Sequence, residues 1–183
     1  MKLATIAGIS VLFGFLPSVA DAAFVGRPDA NVSFTAVGPA GMNIVGTNHD
    51  LTVSEDANGN IAITVTLATL TTGMSLRDKH MREKYLEVQT YPTAVLNVAR
   101  SNLKLPASGQ SGTFDGSGTL TLHGKTKPVT VHYTAKSDGK TAYAVSGTMK
   151  IDMTDYGIEK PGYLGVSVNT SVDLSVSFTA DDK

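Results

Sequence analysis

The sequence contains no cysteine and no tryptophan, and aromatic residues occupy only 7% of its 183 positions. Without cysteine there is no disulfide framework, no thiol nucleophile, no thiolate metal site and no lipid-bearing N-terminal cysteine. Stability must then rest on a buried core. Charge is also scarce: 17% of residues carry it, and the formal net charge is −1. Such a balance offers no basic excess for nucleic acid and no polybasic run for an anionic membrane. The only histidines are His49, His80, His123 and His132, and none are paired at metal-ligating spacing. Asp56-Ala57-Asn58-Gly59-Asn60 starts like a calcium loop, but Leu67 stands where the bidentate acid belongs. Gly116-Ser117-Gly118 lacks the first glycine of a nucleophile elbow, with Asp115 in its place. The expectation is a protein with no catalytic set, no metal and no cofactor, and therefore not an enzyme.

Long apolar runs are missing except near the start. Lys2 is followed by a nearly continuous apolar stretch, Ile6 to Val19, and then by Ala20-Asp21-Ala22. The run is shorter than the roughly 20 residues of a membrane-spanning helix. A positive start, an apolar middle and small residues at the cleavage positions describe a secretory signal peptide over residues 1–22. The expected mature domain is then 23–183. Export without disulfides fits a bacterial periplasm or cell exterior.

Strand patterning fills most of the remainder. Ile61, Ile63, Val65 and Leu67 alternate with small or polar residues, as do Val129, Val131 and Tyr133. So do Tyr143, Val145, Gly147, Met149, Ile151 and Met153, and also Val166, Val168, Val172, Leu174, Val176 and Phe178. Period-two alternation predicts half-buried antiparallel strands. Weaker strands are expected near Asn31–Val37, Asn43–Ser54, Thr93–Leu105 and Thr113–His123. Asn58-Gly59, Asp138-Gly139 and the Gly112–Gly118 region supply turn chemistry. About eight strands with short links predict an all-β, eight-stranded antiparallel barrel, because closure removes exposed edges.

One segment breaks the pattern. Ser75 to Tyr91 predicts the single inserted helix, with Ser75 as its cap and Asp78 in the first turn. Asp78–Arg82 and Lys79–Glu83 are spaced as i,i+4 pairs, and Leu76, His80 and Tyr85 are expected to share a face. Its charges read first as a solvated surface laid across a barrel mouth.

Three motifs in order carry a family resemblance. Leu76-Arg77-Asp78-Lys79-His80-Met81-Arg82 followed by Tyr91-Pro92 is similar to the helix signature of the YceI-like family. Thr119-Leu120-Thr121-Leu122-His123-Gly124, continued by Thr126-Lys127-Pro128-Val129, resembles its second signature, and Asp155-Tyr156-Gly157-Ile158 its third. Val32 replaces the histidine usual in the first strand, and Met153-Thr154 replace an arginine usual before the third motif. The resemblance implies a lipocalin-like barrel that binds a polyisoprenoid, an isoprenoid quinone or another amphipathic lipid in its interior, for carriage or buffering, and a possible homodimer. It implies a ligand-binding interior drawn from Phe34, Val65, Met81, Leu96, Leu122, Val131, Tyr133, Tyr143, Met149 and Phe178. Arg77, His80, Lys84 and His123 are then candidates for the head group, with the helix as a lid. The alternative is a barrel that serves as an interaction or stress-response scaffold without lipid. A third possibility is an enzyme that uses His80 or His123.

Overall fold

The computed structural model describes residues 24–163 and 166–183; the expected signal peptide lies outside the described residues. The elements in chain order are β1 (Phe24–Gly26), β2 (Asn31–Val37), β3 (Asn43–Asn48), β4 (Leu51–Glu55) and β5 (Asn60–Thr66). After α1 (Ser75–His80) come β6 (Thr93–Ala99), β7 (Ser111–Leu122), β8 (Lys125–Ser137), β9 (Ala142–Asp152), β10 (Gly162–Tyr163), β11 (Val166–Ser167) and β12 (Ser171–Asp182).

The main sheet is antiparallel and runs β3-β2-β12-β9-β8-β7-β6-β5-β4, with β1 added beside β12. Its two edge strands, β3 and β4, follow one another in sequence, so the sheet curls into a nearly closed barrel. The path has nine strands where eight are expected, because the single predicted strand Asn43–Ser54 is bent at His49–Asp50. Inward positions are even in β3 and odd in β4. The buried Asn48 side chain holds the bend: its amide donates to Thr66 O at 2.5 Å, and its oxygen accepts from Asp50 N at 2.7 Å and Thr69 Oγ1 at 3.0 Å. β1 packs against β4, where a Cβ on Gly26 would lie 2.9 Å from Val53 Cβ.

The alternating residues fill the interior as expected: Ile61, Leu96, Val131, Tyr133, Val145 and Phe178 are buried. Three strand expectations need correction. The strand predicted from Val166 is interrupted, since Asn169 Oδ1 accepts from Ser171 N at 3.1 Å and Val168 N turns to Pro161 O. Gly112 to Gly118 lie inside β7 rather than in a turn. There glycine allows close strand approach: a Cβ on Gly118 would meet Asn97 O at 2.4 Å. Thr93–Leu105 is strand only to Ala99, after which Arg100–Asn102 forms a 3₁₀ turn.

The helix also departs from its expected start. Met74, not Ser75, holds the capping position, and no side chain caps it. α1 widens into a π-helical turn over Met81–Tyr85, where Leu86 N donates to Met81 O. Glu87, with φ of 45°, ends it. Leu76 is 67% exposed and does not share an inward face with Tyr85.

Candidate functional site

The barrel axis holds a cavity of about 50 Å³, lined by Phe24, Ile61, Ile63, Leu96, Val98, Leu103, Gly116, Val131, Tyr133, Val145, Gly147, Val176 and Phe178. Of the residues expected to bind ligand, Leu96, Val131, Tyr133 and Phe178 border it. Phe34, Val65, Leu122, Tyr143 and Met149 belong to the surrounding core. Ile61, Ile63, Val145 and Val176 were legible as inward positions from alternation alone. Phe24 and Leu103, on a three-residue strand and a loop, carried no such signal. The only polar side chain of the lining, Tyr133, turns its hydroxyl out of the cavity. That hydroxyl donates to Lys104 O at 2.9 Å and accepts from Lys104 N at 2.7 Å. Burial raises the Tyr133 pKa, so the hydroxyl keeps its proton as donor.

The end near the described termini is closed by ions. Arg100 Nη2 bonds Asp182 Oδ2 at 2.5 Å, its Nη1 lies 3.7 Å from the buried Glu55 Oε2, and its guanidinium sits 5.3 Å from the centre of the Phe24 ring. The opposite end carries α1, the β7–β8 turn and the Met153–Tyr156 turn. His123, in a left-handed conformation with φ of 50°, places Nε2 2.8 Å from Glu87 Oε2 and Nδ1 3.3 Å from Tyr156 O. Its ring packs on Tyr91 at 4.4 Å between centroids. His123 and the helix therefore meet at one end, but His123 serves to join elements there.

The remaining head-group candidates are engaged or outward. Arg77 donates from Nε to Thr72 Oγ1 at 2.7 Å and from Nη2 to Thr72 O at 2.9 Å. His80 and Lys84 are exposed, and Met81 is half-buried. Asp78 does not pair closely with Arg82, which donates to Leu70 O at 3.1 Å. Buried Asp78 instead accepts from the Thr71 hydroxyl at 2.6 Å, the Thr72 amide at 2.7 Å and the Thr72 hydroxyl. Burial works to raise its pKa, but these hydrogen bonds outweigh it and hold the carboxyl below its ordinary value. Lys79 lies 4.0 Å from Glu83, as its spacing predicts.

On the barrel side is an open groove of about 710 Å³. Its lining includes Ser33, Thr35, Pro128, Val129, Thr130, His132, Thr148, Met149, Lys150 and Leu174. Lys150 is paired with Asp173 at 3.1 Å, and His132 with Asp115.

An antiparallel barrel with one inserted helix and an apolar axial cavity defines a lipocalin-like architecture. Residues 27–180 match the YceI-like domain, and the chain belongs to that family. It is 32% identical over 129 residues to a UPF0312 protein of Pseudomonas savastanoi pv. phaseolicola, covering 67% of this chain and 62% of that one. The chain thus spans less than two thirds of that curated relative. Its fold is similar to a polyisoprenoid binding domain from Saccharophagus degradans, with TM-score 0.73, 16% identity, and 88% and 99% of the two chains covered. It also resembles Burkholderia cenocepacia BcnA, with TM-score 0.66, 20% identity, and 82% and 95% covered.

Proposed function

We propose that the protein is exported and binds the chain of a polyisoprenoid, an isoprenoid quinone or a similar amphiphile in its barrel, for carriage or buffering. It acts by binding and not by catalysis. The observation that carries this reading is the axial cavity, whose lining presents only apolar surface because Tyr133 directs its hydroxyl away. The name of the Saccharophagus degradans relative, a polyisoprenoid binding domain, supports the same reading.

The cavity must widen for this. Pockets for small molecules commonly measure about 300–1,000 Å³, against about 50 Å³ here. The driving force is sufficient for long chains. Burial yields about 0.8 kcal/mol per CH₂, so an isoprene unit of about five carbons supplies about 4 kcal/mol. Association costs about 4–15 kcal/mol before any widening. One unit does not repay that cost, and several do. A neutral head group suits this reading: Arg77 is held by Thr72, Arg82 by the Leu70 carbonyl and Lys150 by Asp173, while His80 and Lys84 remain exposed.

Thermal unfolding with and without a short-chain menaquinone tests the proposal, because a ligand held by the folded barrel raises the midpoint with concentration. The narrow cavity itself favours a second reading, a packed scaffold that acts as an interaction or stress-response module. An unchanged midpoint at saturating menaquinone favours the scaffold.

A further inference from the structure

The barrel wall has a break between β8 and β9. Their ladder begins at Ser137↔Tyr143 and stops at His132↔Thr148. Both strands continue past that point: β8 stays paired with β7 to Lys125, and β9 stays paired with β12 to Asp152. Extending the register would pair Val131 with Met149 and Thr130 with Lys150, and no such ladder exists. Pro128 sits in this stretch of β8 and has no N–H to offer, as befits a strand edge. Among the described residues the β6–β7 ladder is also short. There, however, the Arg100–Leu105 segment lies beside β7, pinned by Tyr133 through Lys104 and by Asn102 near Ser117 O. Over the β8–β9 break lies the open groove.

The break leads to the cavity. Val131 and Gly147, beside the last ladder pair, line the axial space. Val129 and Met149 alternate in step with the buried Val131 and Ile151, yet both line the outer groove. Met149 is only partly buried, and its unbranched side chain adapts its shape at little cost. Widening here breaks no ladder hydrogen bond. Opening the helix end disrupts the contacts of His123 with Glu87 and Tyr156 and the Thr47–Thr71 bridge.

We infer that the isoprenoid chain passes into the barrel sideways, between β8 and β9, with Met149 as the movable gate and the head group left in the polar groove by Thr130, His132 and Lys150. This rests on the lipid-binding reading above. It moves the head group away from the helix and its basic residues to the barrel wall. The groove's lysine, Lys150, is matched by Asp173, and the His132 ring is hydrogen-bonded to Asp115. A neutral hydrogen-bonding head such as a quinone or alcohol suits that surface better than a diphosphate.

The chain has no cysteine, so introduced pairs react alone. Thr130→Cys/Lys150→Cys joined by a short bis-maleimide holds the break at its present width. Thr47→Cys/Thr71→Cys closed as a disulfide locks the segment before the helix to β3. Uptake of a short-chain menaquinone from phosphatidylcholine vesicles is followed for each variant with and without its cross-link. The expected result is a rate more than about tenfold lower with the Thr130–Lys150 link and little altered by the Thr47–Thr71 link, as for a gated step. An unchanged rate with the Thr130–Lys150 link, or equal slowing by the helix-end lock, overturns lateral passage. If the wild-type protein takes up no menaquinone in the same assay, the lipid-binding reading itself has failed.

Discussion

His123 Nε2 lies 2.8 Å from Glu87 Oε2, and both residues adopt left-handed backbone conformations, with φ of 50° and 45°. The contact ties the β7–β8 turn to the point where the helix ends. His123 is mostly buried, and Glu87 is half exposed. The two sides should therefore respond unequally. His123→Ala also loses Tyr156 O and the Tyr91 ring, and should cost about 1–2 kcal/mol. Glu87→Gln loses only a partly screened charge and should cost about 0–1 kcal/mol. Urea unfolding with unchanged m-value measures both.

Asp78 links the loop before the helix to its first turn. Its folded pKa is held below the ordinary value, while in the unfolded chain it titrates near about 4. The stabilisation is therefore fully present above that value and is lost as pH falls through the depressed folded value. Asp78→Asn should destabilise by about 1–3 kcal/mol at neutral pH, because the Thr71 and Thr72 donors lose a charged acceptor. The gap between wild type and variant should narrow below about pH 4. Unfolding free energies from pH 7 down to about pH 3 test both sign and window.

Tyr133→Phe removes both hydrogen bonds to Lys104 and leaves an amide and a carbonyl without their partner. The expected loss is about 1–3 kcal/mol. Amide exchange at Lys104 should quicken far more than at residues in the middle of β8.

Chain length should govern affinity. Each added isoprene unit that finds room contributes up to about 4 kcal/mol before the cost of widening. Affinity should rise steeply from one unit to several and then level off when the barrel is full. Calorimetric titration with a series of prenyl alcohols of increasing length checks this. A flat series contradicts burial of the chain.

Much of the architecture was legible because period-two alternation is enforced wherever one strand face meets a core. Inward positions such as Ile61, Val131 and Phe178 follow from it directly. The bend at His49–Asp50 was not legible, because Asn48 holds it through Thr66 and Thr69, which are distant in sequence. Ser75 resembled a cap, yet Asp78 found its partners upstream in Thr71 and Thr72. The helix charges suggested a head-group site from Arg77, His80 and Lys84; Arg77 is held by Thr72, while His80 and Lys84 stay exposed. Spacing alone cannot show such tertiary engagement. Pro128 lies inside β8 where pairing with β9 is missing, but its place in the sequence did not announce a strand there.

The central claim is that the barrel carries an isoprenoid chain. It is tested most directly by mass spectrometry of lipid extracted from the protein purified from its natural host. The account predicts a near-stoichiometric isoprenoid with a neutral head group. A folded protein that yields no isoprenoid, and whose thermal midpoint does not move with added menaquinone, would contradict it.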